Sequence, residues 1–264
     1  MSDNKYSIGA IGYSFITVAI LILVMFPIPS RFLDFLMSLN LIFSFLLMLD
    51  VYFSKNSDVF YSFPKTLLLF IVFNLAINIM VTRQILTLGE YFDSQLIGFF
   101  SNPLINAGQE FYTAGLTIFA ISVAVYFYAV KKLLNRISNA TMRYNDDNMH
   151  KMKSIIEADY KNGIINDEEA SRRKNNIQDE ASYYIEYNDK GRILSNYEKL
   201  RLVFIIANII GGYYAGTKLR MEMESDAMQV YVSLAVGSGI LSLIPAIFLS
   251  AATAIVVKRF VAQE

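Results

Sequence analysis

The chain has 264 residues, of which 55% are hydrophobic and 17% are charged, and its formal net charge is zero. The apolar residues fall into blocks of about 20, the length that crosses a hydrocarbon core of about 30 Å, which excludes an ordinary water-soluble globule. Cysteine is absent and there is one histidine, which excludes disulfides, thiol nucleophiles, thiolate metal sites and a multi-histidine site. We therefore predict an all-α polytopic membrane protein with no metal, no cofactor and no nucleic-acid partner.

The first half of the chain carries four apolar blocks that we predict to be transmembrane helices. The first, 8–26, stays apolar for too long and lacks the small-residue cleavage pattern of a signal peptide. Pro27-Ile28-Pro29 follows, and because prolines cannot continue a helix we expect a tight turn there. The remaining three blocks are 32–51, 63–81 and 112–130.

The stretch 131–199 is different in kind, with near-equal numbers of basic and acidic residues and few large aliphatic ones. We predict a water-exposed hairpin of two helices over 152–162 and 167–184. Gly163 would end the first helix, and Asn166 or Asp167 would cap the second. His150 lies in this stretch and could titrate near neutral pH, but a solvated surface histidine is the simpler interpretation.

Two further apolar blocks follow, 200–216 and 228–257. The second would measure about 45 Å as a straight helix, and we expect Pro245 and the Gly237-Ser238-Gly239 triplet to break it. We favour one kinked span over two short ones because it keeps Lys258 and Arg259 on the side of the other cations. The prediction is then six spans in three segments: helices 1–4 over 1–130, a cytoplasmic helical loop over 131–199, and helices 5–6 over 200–264.

The basic residues predict the orientation, because cytoplasmic loops are enriched in lysine and arginine near the ends of the spans. The cations that bracket the hydrophilic stretch are Lys131, Lys132, Arg136, Lys199 and Arg201. If this stretch is cytoplasmic, Lys5, the connection at Lys55 and the C-terminal cations fall on the same side, and 83–110 falls outside. Both termini are then cytoplasmic.

Several polar residues lie within or beside the apolar blocks, where unpaired polar groups are costly. Asp34, Asp50 and Lys65 are near block ends and could reach the interface. Asn40, Asn78 and Asn208 are deeper, and interhelical hydrogen bonds are the simpler interpretation, with a transport role as the alternative. No catalytic triad or phosphate loop occurs in the sequence, so we predict that the chain is not an enzyme.

Five stretches, in order along the chain, resemble the FHIPEP family, the export gates of flagellar and virulence type III secretion systems. They are FPIPSRFLDFLMSLNLIFSFLLML, SFPKTLLLFIVFNLAINIMVTRQIL, IIEADYKNGIINDEEASRR, IIANIIGG and GSGILSLIPAIFLSAATAIVVKR. The resemblance covers nearly the whole chain, from about residue 20 to 259. The positions that carry the resemblance are Asp34, Asn40, Asn78, Arg83, Glu157, Asp159, Gly163, Asn208, Gly237, Gly239 and Pro245.

The resemblance implies a protein of the bacterial inner membrane that assembles as a ring-like homo-oligomer. Its partners would be membrane lipid and the other membrane subunits of a type III export apparatus. If a proton pathway is present, Asp34, Glu157 and Asp159 are the acidic residues at matching positions that would belong to it. The alternative function is a small-solute or ion transporter or channel with its site at residues 237–245.

The sequence departs from the family pattern at positions where the family has carboxylates. The aspartate near the start of the fifth span falls on Tyr197, and the one between the paired glycines falls on Ser238. These family carboxylates are implicated in coupling proton flow to export, and neither tyrosine nor serine exchanges protons near neutral pH. A family arginine falls on Asn74.

Family members also continue through two more helices into a large cytoplasmic domain, whereas this sequence stops after the sixth predicted span. The resemblance therefore implies a divergent, truncated subunit or paralogue of the export gate with a structural or assembly role. The alternative is the N-terminal portion of a longer or split protein.

Overall fold

A computed structural model describes residues 3–54, 57–105 and 112–262. Within these ranges the chain is almost entirely helical and contains no strand, which confirms the all-α class. Its α-helices there are α1 (Asp3–Met25), α2 (Ser30–Phe53), α3 (Ser57–Leu88), α4 (Gln95–Ile105), α5 (Tyr112–Lys161), α6 (Asp167–Tyr214) and α7 (Glu224–Ala262).

Five helical segments in the described part of the chain are long and apolar enough to cross a membrane. They are Ser30–Phe53, Ser62–Tyr91, Thr113–Asn135, Asn188–Leu219 and Glu224–Val256. These segments coincide with five of the six predicted blocks to within a residue or contain them, and they confirm a polytopic membrane protein. The first predicted block coincides with α1, whose opening side chains lie outside the described part, so its role as a span stays a prediction.

The Pro27-Ile28-Pro29 turn forms where the prolines predict it. α1 ends at Met25 and α2 begins at Ser30, after Pro29 in an extended conformation with φ −61° and ψ 146°. The Pro29 carbonyl accepts hydrogen bonds from the N–H groups of Phe32 and Leu33, two of the donors that a helix start leaves without an intrahelical partner. The turn therefore separates α1 from α2 and starts the second helix.

α7 is the central helix of the bundle and packs against α2, α4, α5 and α6. In the most apolar 18-residue stretch of α7, 61% of the residues are buried, against 28–39% in the corresponding stretches of the other four spans. α7 is continuous from Glu224 to Ala262 with Pro245 inside it, so the expected break at Pro245 does not occur, and a single crossing of the membrane stays a prediction. The expected break at residues 237–239 does not occur, because these glycines lie at helix contacts instead of a turn.

α5 and α6 run without interruption from their spans into the hydrophilic stretch. With 50 and 48 residues, they are about 75 and 72 Å long. The two predicted hairpin helices are thus the far ends of these long helices, and the helices do not break at residues 131 or 199. Once a helix has started, extending it by one residue costs less than starting a new one. The three-part division of the chain stays a prediction.

The hairpin turn itself has the predicted chemistry. α5 ends at Lys161, and Gly163 has φ +70°, a conformation that glycine adopts without strain. Asn166 caps α6, since its side-chain oxygen accepts the Glu169 N–H at 2.8 Å. These two local signals place the reversal between the two long helices.

α4 is the element that the sequence pattern did not predict. It has 11 residues and lies in the stretch that we expected to be an outer loop. An 11-residue helix is too short to cross a bilayer. It therefore does not appear among apolar blocks of about 20 residues. α4 packs against α7 and α5, and it therefore belongs to the bundle.

Candidate functional site: a buried polar network between the membrane helices

A chain of polar side chains crosses the bundle from α2 through α3 to α6. Asn40 donates a hydrogen bond from Nδ2 to Oδ1 of Asn74 at 2.9 Å. Asn78 donates from Nδ2 to the Asn74 carbonyl and to the Tyr197 hydroxyl, both at 2.8 Å. Asn40, Asn74 and Tyr197 are buried. Interhelical hydrogen bonds of this kind contribute roughly 0.6–2 kcal/mol each within a membrane, so this row ties three helices together.

An ion pair continues this row beyond Tyr197. The Arg201 guanidinium is fully buried and donates from Nη1 to Oε2 of Glu198 and to the Tyr126 hydroxyl, both at 3.0 Å. Tyr126 in turn donates to the same Glu198 oxygen at 2.8 Å. The guanidinium also lies 4.9 Å from the centre of the Tyr197 ring. Two full charges in an apolar interior are tolerated only when they are paired and hydrogen-bonded, and this cluster pairs them.

Arg201 does not lie in solvent beside the fifth span. The sequence placed it among the cations that mark the cytoplasmic boundary of the fifth span, but its side chain points into the protein. Glu198 lies one helical turn earlier on α6 and faces the same way, which supplies the counter-charge. Glu198 and Tyr126 were not identified from the sequence. The i, i+3 spacing of Glu198 and Arg201, with both side chains close to an apolar block, was the only sequence signal.

The buried polar groups of the network are only partly paired. Asn40 Oδ1, Glu198 Oε1 and the Nε and Nη2 atoms of Arg201 form no hydrogen bond among the described residues. Each such group is costly in an apolar interior. Glu198 and Arg201 pair with each other and with the Tyr126 hydroxyl. The loss of either charged residue would therefore leave the other as a buried charge without its counter-charge.

Asn208 and Ser238 form a second polar contact, between α6 and α7. Asn208 Nδ2 lies 3.5 Å from the Ser238 hydroxyl, and that hydroxyl donates to the Ala235 carbonyl at 3.2 Å. A separation of 3.5 Å is at the long limit for a hydrogen bond. The position where the family resemblance expects a carboxylate therefore carries a buried hydroxyl bonded within its own helix.

Gly237 and Gly239 allow neighbouring helices to approach α7 closely. A Cβ atom on Gly237 would lie 2.3 Å from the backbone oxygen of Ile97 in α4, and one on Gly239 would lie 2.7 Å from the Phe119 ring of α5. Small residues serve this purpose at helix contacts within membranes. Pro245 is buried in the same helix. These three predicted positions thus lie in the packing core around α7.

Asp34 holds the start of α4. Its carboxylate accepts a hydrogen bond from the Ser94 hydroxyl at 2.5 Å and from the Gln95 N–H at 2.9 Å. The Ser94 hydroxyl also accepts the Ile97 N–H at 3.2 Å. A negative charge at this end of a helix is favoured by the partial positive charge of the exposed N–H groups. The structure therefore gives Asp34 a local positioning role.

Arg83 contacts the end of α1 and lies away from the buried network. It is exposed and donates from Nη1 to the carbonyls of Met25 and Val24, at 3.2 and 3.4 Å. The last carbonyls of a helix have no intrahelical donor, so Arg83 satisfies part of this need. It thus links α3 to the turn before α2.

Replacing Asp34 by alanine is expected to destabilise the first turn of α4 by about 1–2 kcal/mol, the usual cost of losing a capping side chain. Hydrogen exchange of the amides of α4 in the purified protein would measure this as roughly 5- to 30-fold faster exchange. Asp93→Ala is the matched control, because Asp93 is an exposed neighbour. Equal protection of α4 in both variants would contradict the assignment.

The acidic and basic residues of the hairpin meet near its turn. Arg173 pairs with Glu169 on its own helix at 2.9 Å and reaches Asp159 on α5 at 3.7 Å. Asp159, Gly163 and Glu169 thus lie together at the hairpin end, whereas Glu157 is exposed and has no ion pair within the described ranges. None of these residues touches the buried network.

Glu169 is expected to make the hairpin end sensitive to acid. Hydrogen bonds from Arg172 and Arg173 lower the pKa of its carboxyl group below the ordinary value of 4.5. Because the pKa is lower in the folded state, the stabilisation is complete above about pH 4.5 and is lost as the pH falls through the lowered pKa. The chain has no cysteine, so a spin label at Ser171→Cys would report this loss as increased mobility in acid.

Glu169→Gln is expected to show the increased label mobility already at neutral pH and to remove the acid transition. Glu168→Gln is the control, because Glu168 is exposed and makes no ion pair in the described part of the chain. A transition of unchanged midpoint and amplitude in Glu169→Gln would contradict the role of this carboxyl group.

Comparisons with known proteins show which proteins this chain is similar to. The FHIPEP family matches residues 20–264. The flagellar biosynthesis protein FlhA of Treponema pallidum (strain Nichols) is 34% identical over 250 residues, covering 93% of this chain and 35% of the relative. The protein of the same name in Borreliella burgdorferi is 32% identical over 265 residues, covering 100% and 37%. That of Bacillus subtilis (strain 168) is 28% identical, covering 92% and 35%.

The chain therefore spans about a third of the length of the curated relatives that it matches. No solved structure matches it significantly.

Proposed function

This chain belongs to the FHIPEP family, and from that premise we propose that it is a membrane subunit of a bacterial type III protein-export gate of the flagellar class. The observation that carries the proposal is the family match over residues 20–264, which includes all five membrane-length helices. The relatives are named for flagellar biosynthesis. The match favours protein export over the small-solute or ion transporter that the sequence left as the alternative.

A structural or assembly role within the gate is supported by the chemistry of the buried network. Its one carboxylate, Glu198, is held by Arg201 and Tyr126. Tyr197 and Ser238, which stand where the family has carboxylates, are both engaged in hydrogen bonds as hydroxyl groups. A network of this kind holds helices in register, and it gives no support to catalysis by this chain.

The inner membrane and a ring-like homo-oligomer are further parts of the proposal, with the other export-apparatus membrane subunits and lipid as partners. Large apolar side chains are exposed along the spans, including Phe35 on α2, Val125 on α5 and Ile206 on α6. Surfaces of this kind suit either lipid or another membrane helix. Crosslinking in native membranes that yields only monomers would contradict the oligomer.

The orientation that we propose places the hairpin and both termini in the cytoplasm. Lys131, Lys132 and Lys199 are exposed where α5 and α6 enter the hairpin, and lysines near span ends favour the cytoplasmic side. Single cysteines introduced at Ser154 and Ser225 would test this with a membrane-impermeant maleimide. Labelling of Ser154→Cys in intact spheroplasts would overturn the orientation.

Deletion of the gene in the source bacterium tests the function directly. We expect the amount of flagellar export substrate in the medium to fall, and re-expression of this chain to restore it. Asp34→Asn and Asp159→Asn, introduced in the same strain, test whether these carboxylates take part in a proton pathway. Unchanged secretion after deletion would contradict the export function, and unchanged secretion in the two variants alone would contradict only the pathway.

A further inference from the structure

A cleft opens between α5 and α7. It has a volume of about 560 Å³ and is lined by residues 121–133 of α5 and 247–251 of α7. The lining is mainly apolar. Ile121, Val125 and Ile247 on its walls are substantially exposed, so the cleft is open to the surroundings of the helices and is not an enclosed cavity.

The length of the cleft matches one leaflet of a bilayer. Along α5 it runs from Ile121 to Leu133, a rise of about 18 Å. Half of a hydrocarbon core of about 30 Å is about 15 Å. A transmembrane helix from a second copy would need a groove through both leaflets, whereas a single acyl chain needs one of this length.

Two cations lie on α5 near one end of the cleft, although neither is among the residues that line it. Lys131 and Lys132 are exposed on α5, beside the lining residues Val130 and Leu133. Lys132 lies 5.6 Å from the centre of the Tyr128 ring, and neither lysine forms an ion pair among the described residues. Basic groups beside a cleft between transmembrane helices are the arrangement that binds anionic lipid head groups.

Ser250 supplies a polar group on the α7 wall of the cleft. Its side chain lines the cleft, only 2% of the residue is exposed, and its hydroxyl has no hydrogen-bond partner among the described residues. A buried hydroxyl without a partner is unfavourable. An ester carbonyl of a lipid, which lies between the phosphate and the acyl chain, would be a suitable acceptor for this donor.

We propose that the α5–α7 cleft binds one anionic phospholipid. Its acyl chain lies along the apolar lining toward Ile121, its ester group lies at Ser250, and its phosphate lies at Lys131 and Lys132. The inference goes beyond the export function and does not depend on it. In the proposed orientation, the site belongs to the cytoplasmic leaflet, where anionic lipids are attracted to basic segments beside the membrane.

Native mass spectrometry of the purified full chain in detergent tests the proposal, with dioleoyl phosphatidylglycerol and dioleoyl phosphatidylcholine as the probes. We expect the anionic lipid to bind more tightly. The double variant Lys131→Gln and Lys132→Gln is expected to weaken binding of the anionic lipid by about 25-fold, roughly fivefold for each lysine. Its affinity for phosphatidylcholine should stay the same, and arginine at both positions should retain the preference.

Cleft filling tests the acyl-chain part of the site. Ala129→Phe, in the cleft, should weaken binding of both lipids, whereas Ala124→Phe is the control because Ala124 is exposed on the same helix outside the cleft. Lys218→Gln controls for the loss of an exposed cation elsewhere. The proposal is overturned by equal affinities for the two lipids or by an unchanged preference in the double glutamine variant. An Ala129→Phe effect on oligomeric state without an effect on lipid binding would assign the cleft to a second copy and also overturn it.

Discussion

Arg201→Ala is expected to lower the free energy of unfolding by about 3–5 kcal/mol, the usual cost of leaving a buried charge without its partner. The guanidinium is fully buried and joins Glu198 and Tyr126 across the contact between α6 and α5. Its removal leaves the Glu198 carboxylate in an apolar interior with one hydrogen bond, from Tyr126. Denaturant unfolding of the purified protein in mixed micelles would measure the loss.

A second set of variants separates the cost of a broken pair from the value of the intact pair. The triple variant Glu198→Leu, Arg201→Met and Tyr126→Phe removes both charges and the hydroxyl group that contacts them. We expect it to recover most of the lost stability, since apolar replacement of a whole buried pair is often neutral. Lys199→Ala is the control, because Lys199 is exposed beside the cluster. An Arg201→Ala variant as stable as Lys199→Ala would contradict the account of the network.

Gly237→Ala is expected to give the second large effect, a loss of about 1–3 kcal/mol from overpacking. The new methyl group would lie 2.3 Å from the Ile97 backbone oxygen, and a backbone atom cannot rotate away as a side chain can. α4 would have to move off α7. The same unfolding measurement reports the stability, and faster hydrogen exchange in α4 would report the displacement.

The other glycines provide a graded series for this prediction. Gly239→Ala should cost less than Gly237→Ala, because its methyl group meets the Phe119 ring, which can turn aside. Gly98→Ala should cost nothing or slightly stabilise α4, since no atom lies within 4 Å of its added methyl group and alanine favours helix. Gly237→Ala should therefore be the least stable of the three variants and Gly98→Ala the most stable. Any other order would contradict the close contact between α4 and α7 at Gly237.

The features that the sequence predicts well are those controlled by local chemistry. The apolar blocks of the five membrane-length helices are long enough to be recognised by length alone. The hairpin turn is predicted equally well, because Gly163 and Asn166 act on the backbone within a few residues of themselves. Neither feature depends on what a distant part of the chain does.

The features that the sequence predicts poorly depend on contacts between distant residues. Arg201 looks like a boundary cation until α5 brings Tyr126 against it, 75 positions away. The row from Asn40 to Tyr197 requires α2, α3 and α6 to meet, although each asparagine alone predicts only that some polar partner exists. α4 is missed because its 11 residues depend on packing against α7 for their stability, as short helices do.

The role of Asp34 shows the same limit. The sequence marks it as an acidic residue at a family position near the end of a span, which fits a proton pathway. The structure places Ser94 and Gln95 against its carboxylate, 60 and 61 positions along the chain. A carboxylate at the start of a helix has a sufficient structural reason to be there, so the secretion assay on Asp34→Asn has to be read together with the hydrogen exchange of α4.

Affinity purification of the tagged chain from crosslinked native membranes tests the central claim most directly. A membrane subunit of an export gate should be recovered together with further copies of itself and with other membrane subunits of a type III export apparatus. An Arg201→Ala variant, with its network broken, should recover less of these partners than Lys199→Ala at equal expression. Recovery of no export-apparatus component, together with uptake of a defined solute by vesicles that contain the purified chain, would contradict the claim.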